Sequence, residues 1–233
     1  MSARLILAGG GGAEDSRLLD EHFAAWVGQD GRMLYLPVAL SGSGRSYAAA
    51  LDWVQSVFNP LGVTQIEMWT ELDAYSESEL SDFSGVYIGG GNTFHLLKQM
   101  RTSGFAQRLA RFIQQGGAVY GGSAGAIVLG CDISTCAHLD QNLVALTDLH
   151  GLDVVQGYAV WCHYTPGDDA RIAGYVERQA VPVLAISERA GICLENDQLA
   201  PLGFEPVYRF DSAGGRRERF MPGEYIGDEK RSF

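Results

Sequence analysis

The chain has 233 residues, 46% of them apolar, which is enough to bury a sizeable core. We read residues 1–233 as a single domain. Asp and Glu outnumber Lys and Arg by 28 to 17, for a net charge of -11 and a pI near 4.8. That balance argues against nucleic-acid and membrane-surface partners. No apolar run approaches the ~18 residues a membrane span needs. The short run LILA breaks into glycines too early for a signal peptide, so a cytoplasmic protein is expected.

In chain order, LILA reads as a first strand and exits into GGGGAED. Leu19, Phe23, Trp26 and Val27 then recur at helical spacing. MLYLPVA is a second strand. Tyr47, Leu51, Val54 and Phe58 mark a second helix, closed by Asn59-Pro60-Leu61-Gly62. VTQIEMW is a third strand, and Ser76 with Glu79 forms a capping-box pattern for a short helix. GVYIGGGN is a fourth strand with a glycine-rich exit. A helical stretch over 93–115 is broken near Ser103-Gly104. AVYGG is a fifth strand that runs into GGSAGAIVLG.

This alternation predicts an α/β fold: a mostly parallel sheet with helices on both faces. Right-handed crossovers then bring the strand C-termini to one edge, where ligands bind in such sheets. Three glycine-rich exits fall there: Gly9 to Gly12, Gly89 to Gly91, and Gly121 to Gly125. Beyond residue 130 the rhythm loosens. YAVWCHY reads as a strand and 168–179 as a helix. VPVLAIS and AGICLEN read as a strand pair turning at Glu188-Arg189, and the Gly/Arg-rich tail as short antiparallel strands.

Gly121-Gly122-Ser123-Ala124-Gly125 fits the Gly-x-Ser-x-Gly nucleophile elbow, with a strand before it and a helix after it. A strand turning abruptly into a helix strains the central residue and aims helix N-terminal N–H groups at the same point. The Ala124 N–H is therefore a natural oxyanion donor. The competing reading makes Ser123 a helix N-cap and nothing more. A second donor is expected from Gly89-Gly90-Gly91-Asn92-Thr93, with Asn92 and Thr93 facing the substrate. Gly9 to Gly12 fails as a dinucleotide fingerprint, because Glu14 and Asp15 stand where a glycine is needed.

A serine nucleophile needs a base. Of His22, His95, His138, His150 and His163, only His163 ends an apolar strand at the expected active edge. The orienting carboxylate is expected at Glu188, at a strand end, with Asp140 as the alternative. Cys131, Cys136, Cys162 and Cys193 form no CxxC pair and no zinc-type spacing with histidine. They are read as free thiols of a reducing compartment, with Cys162 adjoining the site. No metal and no cofactor is expected.

YIGGGNTFHLL, GGSAGAIVLG, and WCHY followed by GDDAR, in this order, resemble the dipeptidase E and cyanophycinase family of serine peptidases. The resemblance implies a class I glutamine amidotransferase-like fold with serine in place of cysteine. It implies Ser123 as nucleophile, His163 as base, and Gly91 and Ala124 as oxyanion-hole donors. The substrate would be a small peptide, foremost a dipeptide with an N-terminal aspartate. Arg171, eight residues after His163, would pair with the aspartyl carboxylate. A homodimer is carried as the oligomer to expect. Three rivals stay open: a cyanophycinase-like β-aspartyl peptidase, a non-catalytic small-peptide or amino-acid binder of the same fold, and an α/β-hydrolase esterase. The esterase would place its histidine late, yet none follows His163.

Overall fold

The computed structural model describes residues 3–211 and 217–227. The first half is built from β1 (Arg4–Ala8), α1 (Ala13–Val27), β2 (Arg32–Leu36), α2 (Tyr47–Phe58), β3 (Gln65–Met68) and α3 (Glu77–Leu80). Next come β4 (Gly85–Ile88), α4 (Thr93–Thr102), α5 (Phe105–Gln114), β5 (Ala118–Gly122) and α6 (Ala124–Leu129). The remainder is β6 (Ala159–Trp161), α7 (Asp169–Gln179), β7 (Val183–Ala185), β8 (Ala190–Glu195), β9 (Gln198–Gly203), β10 (Val207–Phe210) and β11 (Arg217–Phe220). The second strand is shorter than its apolar run. Pro37 has no N–H for the ladder, and Val38–Leu40 coil into a 3-10 turn.

Seven strands form the main sheet in the order β3-β2-β4-β5-β1-β8-β9. The first five are parallel and the last two antiparallel. Period-2 alternation sends neighbouring residues to opposite faces. Ile6, Met33, Tyr35, Tyr87 and Tyr120 meet Leu19, Phe23 and Val27 of α1 and Val54 and Phe58 of α2. Leu5, Leu34, Val86, Ile88 and Val119 meet α4, α5 and α6 on the other face. The expected mostly parallel α/β sheet with helices on both faces is thus the observed one. Each fully buried Leu, Ile or Phe in these layers contributes ~1.5–3 kcal/mol of transfer free energy.

Local signals hold where they are strong. Ser76 and Glu79 form the capping box of α3. Gly104, at φ 70°, separates α4 from α5. The loosely patterned second half departs from expectation. VPVLAIS and AGICLEN do not pair with each other. β7 joins a second, four-stranded sheet of order β11-β10-β7-β6, while β8 pairs with β1 and β9 in the main sheet. In the small sheet Ala159, Trp161, Val183 and Ala185 face Ile172, Tyr175 and Val176 of α7. Val160 and Leu184 point the other way, into the main core. The tail does end in antiparallel strands β10 and β11. Its Gly214-Gly215-Arg216 stretch lies outside the described residues.

Candidate active site

Sheet order explains why three glycine-rich exits converge. β4, β5 and β1 are adjacent and parallel, so the turn after β5 lies between the loops after β4 and β1. The helix after β1 covers one face, and those after β4 and β5 cover the other. Such a switch opens a crevice at the strand ends. A cavity of about 680 Å³ lies there, bordered by Gly10, Gly90, Gly91, Ser123 and His163.

Ser123 links β5 to α6 with φ 50° and ψ -108°, a conformation that L-residues avoid. Its side chain caps nothing in the helix. Instead its Oγ lies 2.8 Å from His163 Nε2. Nδ1 of the same ring lies 2.9 Å from Glu188 Oε1. With the Nδ1 proton donated to the carboxylate, Nε2 is left to accept from the serine hydroxyl. The structure thus joins Ser123, His163 and Glu188 in one hydrogen-bonded chain. The side chains of His163 and Glu188 are 33% and 57% exposed, so the chain opens outward to solvent at its acid end.

The β1 exit holds all three in place. Ala8 O accepts the Ser123 N–H at 3.1 Å, and Gly9 O accepts the His163 N–H at 2.9 Å. The Gly9 N–H donates to Ala190 O, two residues past Glu188. A Cβ on Gly10 would fall 2.2 Å from His163 Cε1, so only glycine leaves room for the ring. Sequence reasoning set this loop aside as a failed nucleotide motif. The signal that could have found it is four successive glycines, Gly9 to Gly12, at the end of a central strand.

Gly91 has φ 143°, and a Cβ there would overlap Ala39 O at 2.3 Å. Among the described residues, neither the Gly91 nor the Ala124 N–H donates to a backbone carbonyl. Both are available donors beside Ser123. Thr93 is buried and lines the cavity. Asn92, expected to face the substrate, is occupied elsewhere. Its Oδ1 accepts the His95 N–H as the cap of α4, and its Nδ2 donates to Gln141 O.

Two further expectations are corrected. Asp140 is not the carboxylate on His163; it lines the cavity and accepts the Thr93 N–H at 2.8 Å, at the N-terminus of α4. Arg171 does not reach the cavity. Ile172, Tyr175 and Val176 fix the inward face of α7, leaving Arg171 57% exposed and paired with Asp168 at 2.9 Å. Arg45, which sequence reasoning missed, is the one arginine among the described lining residues, and no lysine joins it. It stands between Gly44 and Ser46 in the loop before α2, where no pattern marks it.

Tyr35, Tyr87 and Tyr120 are cross-strand neighbours on β2, β4 and β5 and form one wall of the cavity. Burial pushes the Tyr35 phenol up to about 12 and the other two well above their usual range. Behind them, burial raises the Asp20 carboxyl to about 6, opposed by hydrogen bonds from Ser16 and Tyr120. All four cysteines are free. Cys162 lies beside Ser123, its Sγ 3.5 Å from Ser123 O, and burial drives its thiol strongly towards the neutral form. Among the described residues no cluster of metal-type donors forms around Ser123. No helix among them is long and apolar enough to cross a membrane.

With this geometry in view, the family model for Peptidase family S51 matches residues 5–202. A protein named Peptidase E from Shewanella sp. (strain W3-18-1) is 30% identical over 153 residues, covering 61% of this chain and 63% of its own. An uncharacterized peptidase of Pasteurella multocida (strain Pm70) is 31% identical over 105 residues, covering 44% and 50%. The matched region thus spans less than two thirds of these relatives' length. The crystal structure of a peptidase from an acI-B1 Actinobacterium superposes with a TM-score of 0.74 at 18% identity, covering 97% of each chain. That likeness establishes a shared fold.

Proposed function

The chain belongs to peptidase family S51, and from that premise we propose that it is a serine-dependent exopeptidase of short peptides, foremost dipeptides with an N-terminal aspartate. The observation that carries this reading is the Ser123–His163–Glu188 chain on a strained strand-to-helix turn. Strain in a side chain's own backbone is tolerated where function needs it. A capping serine has no use for a histidine at 2.8 Å.

In the proposed reaction His163 Nε2 takes the Ser123 hydroxyl proton as Oγ attacks the scissile carbonyl. Glu188 holds the Nδ1–H and stabilises the imidazolium. The oxyanion faces the Gly91 and Ala124 N–H groups; losing one such donor costs about 100- to 1000-fold in rate. His163 returns its proton to the leaving amine, and water on the same base then cleaves the acyl-enzyme. Arg45 takes the role first given to Arg171, because a planar guanidinium at the cavity wall suits a carboxylate.

The test is amino-acid release from α-Asp-X, β-Asp-X and neutral dipeptides by wild type, Ser123→Ala and Arg45→Gln. We expect α-Asp-X turnover that vanishes in Ser123→Ala. In Arg45→Gln the preference for aspartate over neutral residues should fall while neutral turnover persists. Preference for β-Asp-Arg would move the protein to the cyanophycinase-like side. Turnover unchanged by Ser123→Ala would sink the nucleophile assignment, and no turnover at all would favour a binding protein.

A further inference from the structure

The face of the main sheet under α1 carries a group of side chains that the reaction does not use. Cys193 and Glu195 are two apart on β8, so they project to the same face, opposite Ile192 and Leu194 in the core. α1 lies over that face and brings His22 above them. His22 Nε2 is 3.7 Å from Cys193 Sγ, and one donor atom from each of the three residues lies within 4.8 Å of the others. All three are half-buried, neither fully solvated nor sealed.

From this juxtaposition we propose that His22, Cys193 and Glu195 form a binding site for a divalent transition-metal ion of the zinc class. The spacing suits the chemistry. A tetrahedral zinc with bonds of about 2.3 Å to sulfur and about 2.0 Å to nitrogen needs a sulfur–nitrogen separation near 3.5 Å. Thiolate, imidazole and carboxylate together favour zinc over magnesium or calcium, which take oxygen ligands. A thiolate and a carboxylate also neutralise the dication, so the half-buried site carries no net charge. Binding forms one metal–thiolate bond, and the thiol proton passes to solvent. Three protein donors leave a fourth position for water.

The surroundings leave the donors free to act. Arg4 adjoins the Leu5–Leu194 pair on the neighbouring strand. Its guanidinium is turned to Gly116 O and over the Trp26 ring, away from an ion pair with Glu195. The Trp26 and His22 rings pack edge to face, their centroids 4.7 Å apart and their planes at 83°, which limits how the imidazole can rotate. None of the three residues lines the cavity at Ser123. Cys193 pairs with Ile6, two residues before the Ala8 carbonyl that holds the nucleophile. A bound ion would therefore clamp α1 to β8 and leave the cavity open.

The test is titration of the full chain with Co2+ as a spectroscopic stand-in, and with Zn2+ by equilibrium dialysis and thermal melting. We expect one Co2+ per chain with a near-ultraviolet thiolate-to-cobalt band. Cys193→Ser should abolish the band. His22→Gln and Glu195→Gln should each weaken binding by at least ~10-fold, the lower bound known for perturbing even outer ligands. Zn2+ at about 100 times its Kd should raise the Tm by about 5–10 °C in wild type and not in Cys193→Ser. A missing thiolate band overturns the proposal. So does a band that survives Cys193→Ser, or a Co2+ affinity unchanged in His22→Gln.

Discussion

The proposed nucleophile and its proposed base come from two differently built regions. Ser123 belongs to the parallel sheet, and its turn is built within ten residues from strand β5, a glycine-flanked bend and helix α6, with the Ala8 carbonyl of the adjacent strand accepting its N–H. His163 lies two residues past a three-residue strand of the small sheet, and Glu188 lies on the connection from that sheet back to the main one. The first region is a local device. The second is assembled from pieces distant in sequence, and the β1 exit is what locks it to the first. Catalytic geometry here is therefore a property of how two sheets meet, as much as of either sheet.

Four substitutions probe that division, from the largest expected effect to the smallest. Ser123→Ala removes the local device and should lower kcat by about 10^5- to 10^6-fold with folding intact by circular dichroism. Glu188→Gln keeps the shape of the small-sheet arm and deletes its charge. We expect a loss of about 10^2- to 10^4-fold in kcat, largely without change in KM. Gly10→Ala attacks the junction itself, since the new Cβ would overlap His163. Displacing the ring by about an ångström should cost about 100-fold in kcat/KM. Equal activity of Gly10→Ala and wild type would break the picture of β1 as the shared anchor.

The fourth touches only the parallel region and should leave turnover alone. Folding holds a proton on Asp20 up to about pH 6, whereas an ordinary aspartate carboxyl loses it near 3.8. The folded state thus binds more protons than the unfolded state across that window. The contribution of Asp20 to stability is greatest below about pH 4 and is lost as pH rises through 6, by on the order of 2–3 kcal/mol. Asp20→Asn should flatten that slope in urea unfolding measured from pH 4 to 7.

The same division governs what the sequence discloses. The parallel half is legible because strand, turn and helix signals agree at each step, as at Ser76 with Glu79 and at Ser103-Gly104. Ser123 stands out because its motif is contiguous. His163 and Glu188 are legible only as strand ends at the right edge. The small sheet is not legible. Its strands β6 and β7 have three residues each, and β7 takes β10 as partner across the whole β8–β9 hairpin. Apolar content alone cannot tell that β7 and β8 enter different sheets. Arg171 shows the limit from the other side. Its spacing from His163 looked meaningful, but the phase of α7 turns it to solvent.

One consequence reaches past chemistry. The backbone at Ser123 sits at φ 50° and ψ -108°, territory that glycine enters freely and serine does not. Such a residue costs about 1–3 kcal/mol, while a glycine there would lose about 0.4–1 kcal/mol through the entropy of the unfolded chain. Ser123→Gly should then yield a dead protein that melts later than the living one. Selection for durability alone would discard the hydroxyl first, and its retention is itself the imprint of work done by that residue.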